Sequence, residues 1–134
     1  MDKEQYEILY QLEERHWWYL GMRHIVSSLL ARHLNGRRPL RILDAGCGTG
    51  GMTKYLGRFG VSFGVDVAPE AMAGCRRRDL LTVAQASVAQ LPFASASFKL
   101  VFSLDVLYHQ AVVNVAAALA EVLRVIQRGR PAVA

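Results

Sequence analysis

Residues Ile42–Gly50 read Ile-Leu-Asp-Ala-Gly-Cys-Gly-Thr-Gly, an apolar segment that runs directly into a glycine-rich turn. A buried strand is predicted from Leu40, Ile42 and Leu43, with Pro39 at its start. After the turn, apolar residues recur at helical spacing, at Met52, Tyr55, Leu56 and Phe59. The stretch therefore predicts a strand, a glycine loop and a helix whose first amides point at a ligand, the start of a βαβ unit.

The glycine spacing alone leaves several interpretations open. Gly46, Gly48 and Gly50 allow backbone angles and close approaches that a Cβ atom would forbid. Gly46, Gly48 and Gly51 also satisfy G-x-G-x-x-G, the pattern of dinucleotide-binding folds. A tight strand-to-helix turn without a ligand is the simplest alternative, although such turns rarely need four glycines.

The residues around the glycines narrow the choice. Asp44 lies two positions before the first glycine and, with Ala45 and the loop, resembles motif I of class I S-adenosylmethionine-dependent methyltransferases. The resemblance implies that the loop passes beneath the methionine part of S-adenosylmethionine, and that Asp44 helps to fix the loop and the cofactor's amino end. The loop residues that it assigns to the cofactor are Gly46, Cys47, Gly48 and Gly50.

Length and composition favour one soluble globular domain, since the chain has 134 residues of which 52% are hydrophobic and 20% charged. No apolar stretch reaches the roughly 18 residues that a membrane span needs. The polar start Met1–Gln5 is unlike a signal peptide, so we expect a cytoplasmic protein. Cys47 and Cys75 are too few for a disulfide framework or a metal site, and we expect Cys75 near a helix surface.

The net charge of +5 is concentrated in Arg37–Arg38 and Arg76–Arg78. Nucleic-acid surfaces interleave basic residues with aromatic ones, and neither cluster does so. We therefore expect no nucleic-acid partner, and a solvated helix end at the second cluster, where arginine complements the helix dipole.

The amino-terminal region predicts two helices, from Asp2 to Arg15 with Asp2 as the cap, and from Met22 to Leu34. Between them lies an aromatic segment, His16–Tyr19, followed by a predicted break at Gly21.

That aromatic segment has two interpretations. It can pack over the open end of the sheet, or it can form a lid over the cofactor. It resembles the His-Trp-Trp-Tyr-x-Gly-x-Arg lead-in of some methyltransferases of this class. The resemblance implies that Tyr19 and Arg23 lie near the cofactor's carboxylate, which Arg23 could pair with, while the rings attract the sulfonium.

The rest of the chain alternates strands with helices, which predicts a doubly wound, mostly parallel α/β sheet. With the resemblance, this is the Rossmann-like methyltransferase fold with an N-terminal helical lid. We expect residues 1–36 to form the N-terminal helices and aromatic lid, and residues 37–134 to form the S-adenosylmethionine-binding core, incomplete at its C-terminus. Predicted strands cover 61–66, 81–86 and 98–104, and predicted helices cover 69–78 and 111–126.

Distinctive residues follow the second strand, at the sheet edge where such folds bind ligands. Asp66 closes this strand, and we expect it to accept hydrogen bonds from both ribose hydroxyls, a surface acid being the alternative. The apolar side chains of Val67 and Met72 are expected to pack on the purine ring.

The segment Ser87–Phe93 follows the third strand and resembles the family's Asp-Ala-x-x-Leu-Pro-Phe segment, which holds the adenine edge. Ser87 replaces the usual Asp, and it can still donate or accept one hydrogen bond. The resemblance implies that Ser87 and the Val88 amide contact adenine, a plain loop being the alternative.

The fourth strand is followed by residues that the resemblance places at the pocket. Leu104 would line the cofactor, and His109 would lie by the pocket floor as a candidate general base, although a structural role is commoner. Lys99 stands where relatives more often have Asp, away from the ligand end.

The resemblance breaks off near the carboxyl terminus, where Gln127–Gly129 replaces a Pro-Gly-Gly turn and only 131–134 follows. We expect a fold that lacks its last strands, either as a truncated fragment or as a reduced domain that relies on a partner. An exposed edge of the fourth strand would then favour homodimers or aggregation.

The function that these patterns favour is S-adenosylmethionine-dependent methyl transfer to an unidentified small-molecule acceptor, with S-adenosylhomocysteine as product. The protein would supply alignment, because the cofactor carries the activated group. A non-catalytic S-adenosylmethionine-binding fragment is the main alternative. A nucleotide-dependent oxidoreductase is disfavoured by Asp44 and by the Ser87–Phe93 segment.

Overall fold

The computed structural model describes residues 2–34, 40–103, 115–126 and 132–133. In chain order its elements are α1 (Lys3–Leu12), α2 (Trp17–Leu34), β1 (Arg41–Ala45), α3 (Gly51–Leu56), β2 (Val61–Asp66), α4 (Pro69–Arg77), β3 (Val83–Gln85), β4 (Leu100–Phe102), α5 (Val115–Val125) and β5 (Ala132–Val133).

The strands form one sheet in the order β3-β2-β1-β4-β5, and every pairing is parallel. The strand order reverses between β1 and β4, because the chain first builds outward to β3 and then returns to the other side of β1. In such sheets the ligand crevice lies at the carboxyl ends of the strands beside this reversal. The predicted doubly wound, parallel α/β fold is confirmed.

Helices cover both faces of the sheet, as the near-continuous apolar strands require. On one face, α2 and α3 pack against β1 and β4 through Val26, Leu30, Leu40, Ile42, Leu56, Leu100 and Phe102. On the other face, α5 packs through Ala118, Val122 and Val125 onto a set that includes Leu43, Ala45, Val65 and Val101. Among the helices of the described ranges, none is both long and apolar enough to cross a membrane.

The expectation that the edge of the fourth strand is exposed is wrong. The short strand β5 pairs with β4 in parallel, with Ala132 beside Val101 and Val133 beside Phe102. Two residues are enough to continue the ladder, because Ala-Val is apolar and Val favours a pleated backbone. The premise for dimerisation through the β4 edge therefore fails.

The aromatic segment is helical, which corrects the predicted break. Helix α2 begins at Trp17, five residues earlier than predicted, and Gly21 lies inside it. A glycine in a helix costs only about 1 kcal/mol, and its neighbours here sustain the helix. A methyl group at Gly21 would meet no atom within 4 Å, so the position is open.

Two strands are shorter than predicted, and the expectation that Cys75 lies near a helix surface is wrong. β3 begins at Val83, since Leu81 is exposed, and β4 begins at Leu100, with Phe98 making an isolated parallel bridge to Ile126. Cys75 is fully buried, because helix α4 is covered by α1.

Candidate functional site

The glycine loop follows β1 and folds over the end of β2. The amides of Gly46 and Cys47 both donate to the Val65 carbonyl at 2.8 Å. Gly46, Gly48 and Gly50 have φ of +84°, +54° and +87°, the left-handed region that L side chains rarely adopt. The prediction that these positions need glycine for their backbone angles is confirmed.

Gly50 also permits a close approach between the loop and helix α4. A Cβ atom there would lie 2.5 Å from Cδ1 of Leu80 and 2.9 Å from Sγ of Cys75. The loop is therefore pressed against α4 at this point, with the buried Cys47 and Cys75 side chains beneath it. The contact with Cys75, together with burial, raises the pKa of the Cys47 thiol, so Cys47 fills space as a neutral group.

Asp66 joins the loop to the carboxyl end of β2. Its Oδ2 accepts from the Gly48 amide at 3.0 Å, and its Oδ1 accepts from the Ala68 amide at 3.1 Å. Its side chain is half-buried. Both carboxylate oxygens are thus oriented by backbone donors, and each keeps a lone pair for a further donor.

Asp44 lies beneath the loop, on the face of β1 that packs against α3. Its Oδ2 accepts from the Thr53 hydroxyl at 2.8 Å, and only 3% of the residue is exposed. Burial, together with the nearby Glu13 and Asp66, raises the pKa of Asp44 to about 7, and the Thr53 hydrogen bond opposes the shift. A cation placed beside this carboxyl would favour its ionised form.

Glu13, from the end of α1, reaches the second half of the loop. Its Oε2 accepts from the Gly51 amide at 3.0 Å, and its Oε1 accepts from the Thr49 hydroxyl. Burial raises the pKa of Glu13, while Thr49, Arg78 and Gly51 oppose the shift. The expectation that the first amides of the helix point at a ligand is therefore wrong for Gly51, because a buried carboxylate occupies it.

Arg78 is buried, which corrects the expected solvated arginine cluster. Its Nε donates to the Thr49 carbonyl at 2.9 Å and its Nη2 to the Tyr10 carbonyl at 2.8 Å. It also pairs with Glu13 at 3.5 Å and with Glu14 at 2.9 Å. Arg78 therefore connects α4, α1 and the loop. Neighbouring Arg77 is half-exposed and pairs with an equally exposed Glu7.

The residues of the predicted lid lie along α2. Arg23 donates from Nη2 to the Glu13 carbonyl at 2.9 Å and pairs with Glu14 at 3.2 Å. Tyr19 packs edge-to-face on Trp18, with ring centroids 5.0 Å apart. Trp17 is 74% exposed, so this ring covers no part of the sheet. The Arg23 guanidinium, which was expected at the cofactor's carboxylate, is therefore bonded to Glu13 and Glu14 in this structure.

The segment after β3 forms a loop beside Asp66. Ser87 accepts from the Ala89 amide at 3.1 Å, and the Ala86 amide donates to the Asp66 carbonyl at 3.0 Å. This places Ser87 near Asp66, the residue expected to bind the ribose, at the same edge of the sheet. Val88 is buried in the core with Leu91, which leaves its backbone as the part able to serve a ligand.

Helix α5 holds the Leu91–Phe93 part of this segment. Glu121 accepts from the Leu91 amide at 2.8 Å. Arg124 donates to the Leu91 carbonyl at 3.1 Å and to the Phe93 carbonyl at 2.8 Å, while pairing with Glu121 at 2.6 Å. The loop is therefore fixed by one ion pair of α5, which packs in the same core cluster as Leu91.

Two apolar residues, Val67 and Met72, are expected to pack on the purine ring, and they differ in exposure. Val67 is 45% exposed after β2, whereas Met72 is buried against Tyr6 from α1. Burial, and to a lesser extent Asp66 and Glu70, raise the pKa of Tyr6 to about 12, so its hydroxyl stays protonated. Tyr6 thus belongs to the surroundings of Asp66. Leu104 and His109 lie outside the described residues.

Three residues of this site were not predicted from the sequence, namely Tyr6, Glu13 and Arg78. Each acts on the loop or its neighbours from 29 or more positions away along the chain. Local periodicity carries no signal for such pairings. The one available hint is that Gly50, as the residue before a helix, has no side chain to cap it.

The site as a whole combines bare loop backbone with acidic side chains. Asp44, Asp66 and Glu13 surround the loop, and within the described residues Arg78 is the basic side chain that contacts its backbone. Such surroundings attract a ligand that carries positive charge and hydroxyl donors, and they repel phosphate groups.

Comparison with known proteins gives a consistent result. Residues 43–132 match the family described as methyltransferase domain. The malonyl-[acyl-carrier protein] O-methyltransferase of Enterobacter lignolyticus is 39% identical over 83 residues, which cover 60% of this chain and 33% of the relative.

Solved structures agree in fold. A protein from Methanococcus maripaludis proposed to be an S-adenosyl-L-methionine-dependent methyltransferase superposes with a TM-score of 0.78 at 17% identity, over 98% of this chain and 62% of that one. Streptomyces venezuelae DesVI gives a TM-score of 0.76 at 20% identity, over 98% and 56%. The chain spans about a third of the curated relative and little more than half of these structures.

Proposed function

The chain belongs to the class I S-adenosylmethionine-dependent methyltransferase family, and from that premise we propose that it binds S-adenosylmethionine at the glycine loop and transfers the methyl group to a small-molecule acceptor. The proposal rests chiefly on one observation, the acidic surroundings of the loop. Asp44 and Asp66 lie at the ends of adjacent strands, and the Glu13 carboxylate accepts the hydrogen bond of the Gly51 amide. A sulfonium and an ammonium group are favoured there, whereas a pyrophosphate would be repelled.

Asp66 is proposed to hold the ribose. Its two oxygens accept from the Gly48 and Ala68 amides, so the carboxylate is fixed before any ligand arrives. The remaining lone pairs can accept from two neighbouring hydroxyls, and charge-assisted hydrogen bonds of this kind are strong. The pre-set geometry lowers the entropy cost of binding.

Asp44 is proposed to stabilise the cofactor's amino end. The carboxyl is buried under the loop with a pKa near 7, and a bound ammonium group would shift it toward the ionised form. The loop backbone at Gly46 and Gly48 has no side chain to keep the methionine part away. Ser87 and the Val88 amide are proposed to contact adenine, with Val67 and Met72 on its face.

Methyl transfer needs little chemistry from the side chains. The cofactor supplies an activated methyl group, which a nucleophile takes as the carbon–sulfur bond breaks and its electron pair goes to sulfur. The protein aligns the two reactants and excludes water. His109 remains the proposed base that takes the acceptor's proton, and Tyr19 and Arg23 remain proposed neighbours of the cofactor's carboxylate.

The acceptor is proposed to be a small molecule. The relative from Enterobacter lignolyticus is a malonyl-[acyl-carrier protein] O-methyltransferase, so carboxylate O-methylation is the first acceptor chemistry to assay. A cytoplasmic location remains part of this proposal.

The test is calorimetric titration of Asp66→Asn with S-adenosylhomocysteine, beside Asp79→Asn as control. Asp79 is an exposed residue with φ of +60°, a conformation that Asn accepts. We expect about tenfold or greater loss of affinity in the first variant and none in the second. Equal affinities would refute the role of Asp66. Binding without turnover of any carboxylate, amine, thiol or hydroxyl acceptor would favour the non-catalytic alternative.

A further inference from the structure

Glu13 supplies a cap that the loop itself lacks. Helix α3 begins after Gly50, which has no side chain to accept from the first amides of the helix. The Glu13 carboxylate accepts from the Gly51 amide at 3.0 Å and from the Thr49 hydroxyl, although it lies 36 to 38 positions earlier in the chain. The end of α1 therefore satisfies the donors of the second half of the loop.

Arg78 contacts both Glu13 and the loop. Its guanidinium lies 3.5 Å from Oε1 of Glu13 and donates to the Thr49 carbonyl at 2.9 Å. The side chains of Arg78 and Glu13 are only 5% and 9% exposed. A buried pair with several hydrogen bonds is rigid, because moving either partner leaves an unpaired charge out of water.

We propose that Glu13 is the positioning residue of the glycine loop, holding Thr49–Gly51 so that the Gly48 amide meets Asp66 and the bare loop backbone faces S-adenosylmethionine. This role rests on the proposed function for its ligand. The Glu13 side chain acts through the loop, because its partners Thr49, Gly51 and Arg78 are not among the residues proposed to touch the cofactor. Its backbone carbonyl separately accepts from Arg23.

The loop needs such a residue because glycines are conformationally free. Four glycines within six positions, Gly46 to Gly51, give the loop many alternative shapes, and fixing each residue costs entropy. Where the binding shape is only partly populated, the apparent affinity falls by the same fraction. Contacts from Glu13 would raise that population before the cofactor binds.

The experiment compares Glu13→Ala and Glu13→Gln with Glu7→Gln as the control. Glu7 lies on the same helix and joins α1 to α4 through Arg77 at 2.7 Å, away from the loop. Two quantities are measured, hydrogen exchange of the free protein at the amides of residues 48–51, and the Kd for S-adenosylhomocysteine by calorimetry.

We expect Glu13→Ala to speed exchange at the loop about tenfold, leave β1 and β2 unchanged, and raise the Kd about tenfold. Glu13→Gln, which keeps one acceptor oxygen, should fall between the wild type and Glu13→Ala, and it decides the matter if the alanine variant does not fold. Glu7→Gln should match the wild type in both measurements.

Loop exchange that stays at the wild-type rate, or that rises equally in β1 and β2, would overturn the positioning role, because the effect would then be absent or global. Failure of the wild type to bind S-adenosylhomocysteine would refute the proposed function instead. The exchange measurement would still decide the role of Glu13 in that case, since it needs no ligand.

Discussion

The Gly48 amide donates to Oδ2 of Asp66 across 3.0 Å, and this contact ties the loop after β1 to the end of β2. The same carboxylate is held by the Ala68 amide on its other oxygen. Two adjacent strands thus present one pre-oriented acid at the edge of the sheet where ligands bind. The proposed cofactor site is organised around this contact.

The pKa of Asp44 predicts a pH-dependent affinity. Its pKa is raised to about 7, mainly by burial and further by Glu13 and Asp66, so the carboxyl is largely protonated at pH 6. A bound ammonium group requires the ionised form, and binding below pH 7 must therefore release a proton. We expect the affinity for S-adenosylhomocysteine to be up to about tenfold weaker at pH 6 than at pH 8.

The control for this prediction is Asp44→Asn, which cannot ionise. Its affinity should be weaker at pH 8 and should vary less between pH 6 and pH 8. The stability of the free wild-type protein should depend on pH in the opposite direction. An acid with a raised pKa, here Asp44, destabilises the fold as the pH rises from about 4 to 7. An affinity that increases toward pH 6 would contradict this role of Asp44.

Gly50 and Gly21 predict opposite effects of the same substitution. Gly50→Ala places a methyl group 2.5 Å from Leu80 at a φ of +87°, and we expect a loss of about 2–4 kcal/mol in the free energy of unfolding. Gly21→Ala meets open space inside a helix and should gain about 0.5–1 kcal/mol. Urea denaturation of both variants measures this, and equal effects would show that the loop is not packed as described.

Arg78 predicts a large stability effect at a position that resembles a surface arginine in sequence. Arg78→Ala leaves the buried Glu13 without its partner and frees the Thr49 carbonyl, so we expect a loss of about 3–5 kcal/mol. Arg76→Ala, exposed on the same helix, should stay within about 0.5 kcal/mol of the wild type. Chemical denaturation separates the two, and similar small losses would contradict the buried network.

Glu121 predicts a local effect on the loop after β3. Glu121→Ala removes the acceptor of the Leu91 amide, so hydrogen exchange at Leu91 should accelerate. The Ala96 amide donates to the backbone carbonyl of Arg124 and serves as an internal control that should not change. Unchanged exchange at Leu91 would show that α5 does not hold the segment.

The sequence allowed most of the fold to be predicted, because periodicity and turn chemistry are local. β2 at Val61–Asp66 was predicted with its observed bounds, and α4 differs by one residue at its end. The cap at Asp2 was also correct, with a full capping box to Gln5. Such features depend on neighbours within four residues, which a sequence displays directly.

What could not be predicted depends on distant pairings or on context. The helical state of Trp17–Gly21 was missed because glycine was interpreted as a break, whereas the surrounding helix tolerates it. The pairing of β5 with β4 was missed because two residues carry little pattern. The burial of Arg78 and Glu13 follows from the packing of α1 on α4, which no local spacing shows.

The decisive measurement is calorimetric titration of the wild-type chain with S-adenosylhomocysteine and, separately, with NAD. The acidic surroundings of the loop and the pre-oriented Asp66 predict saturable binding of S-adenosylhomocysteine and no binding of NAD, because nearby carboxylates disfavour the negative charge of a pyrophosphate. Binding of NAD without binding of S-adenosylhomocysteine would contradict the proposed cofactor site.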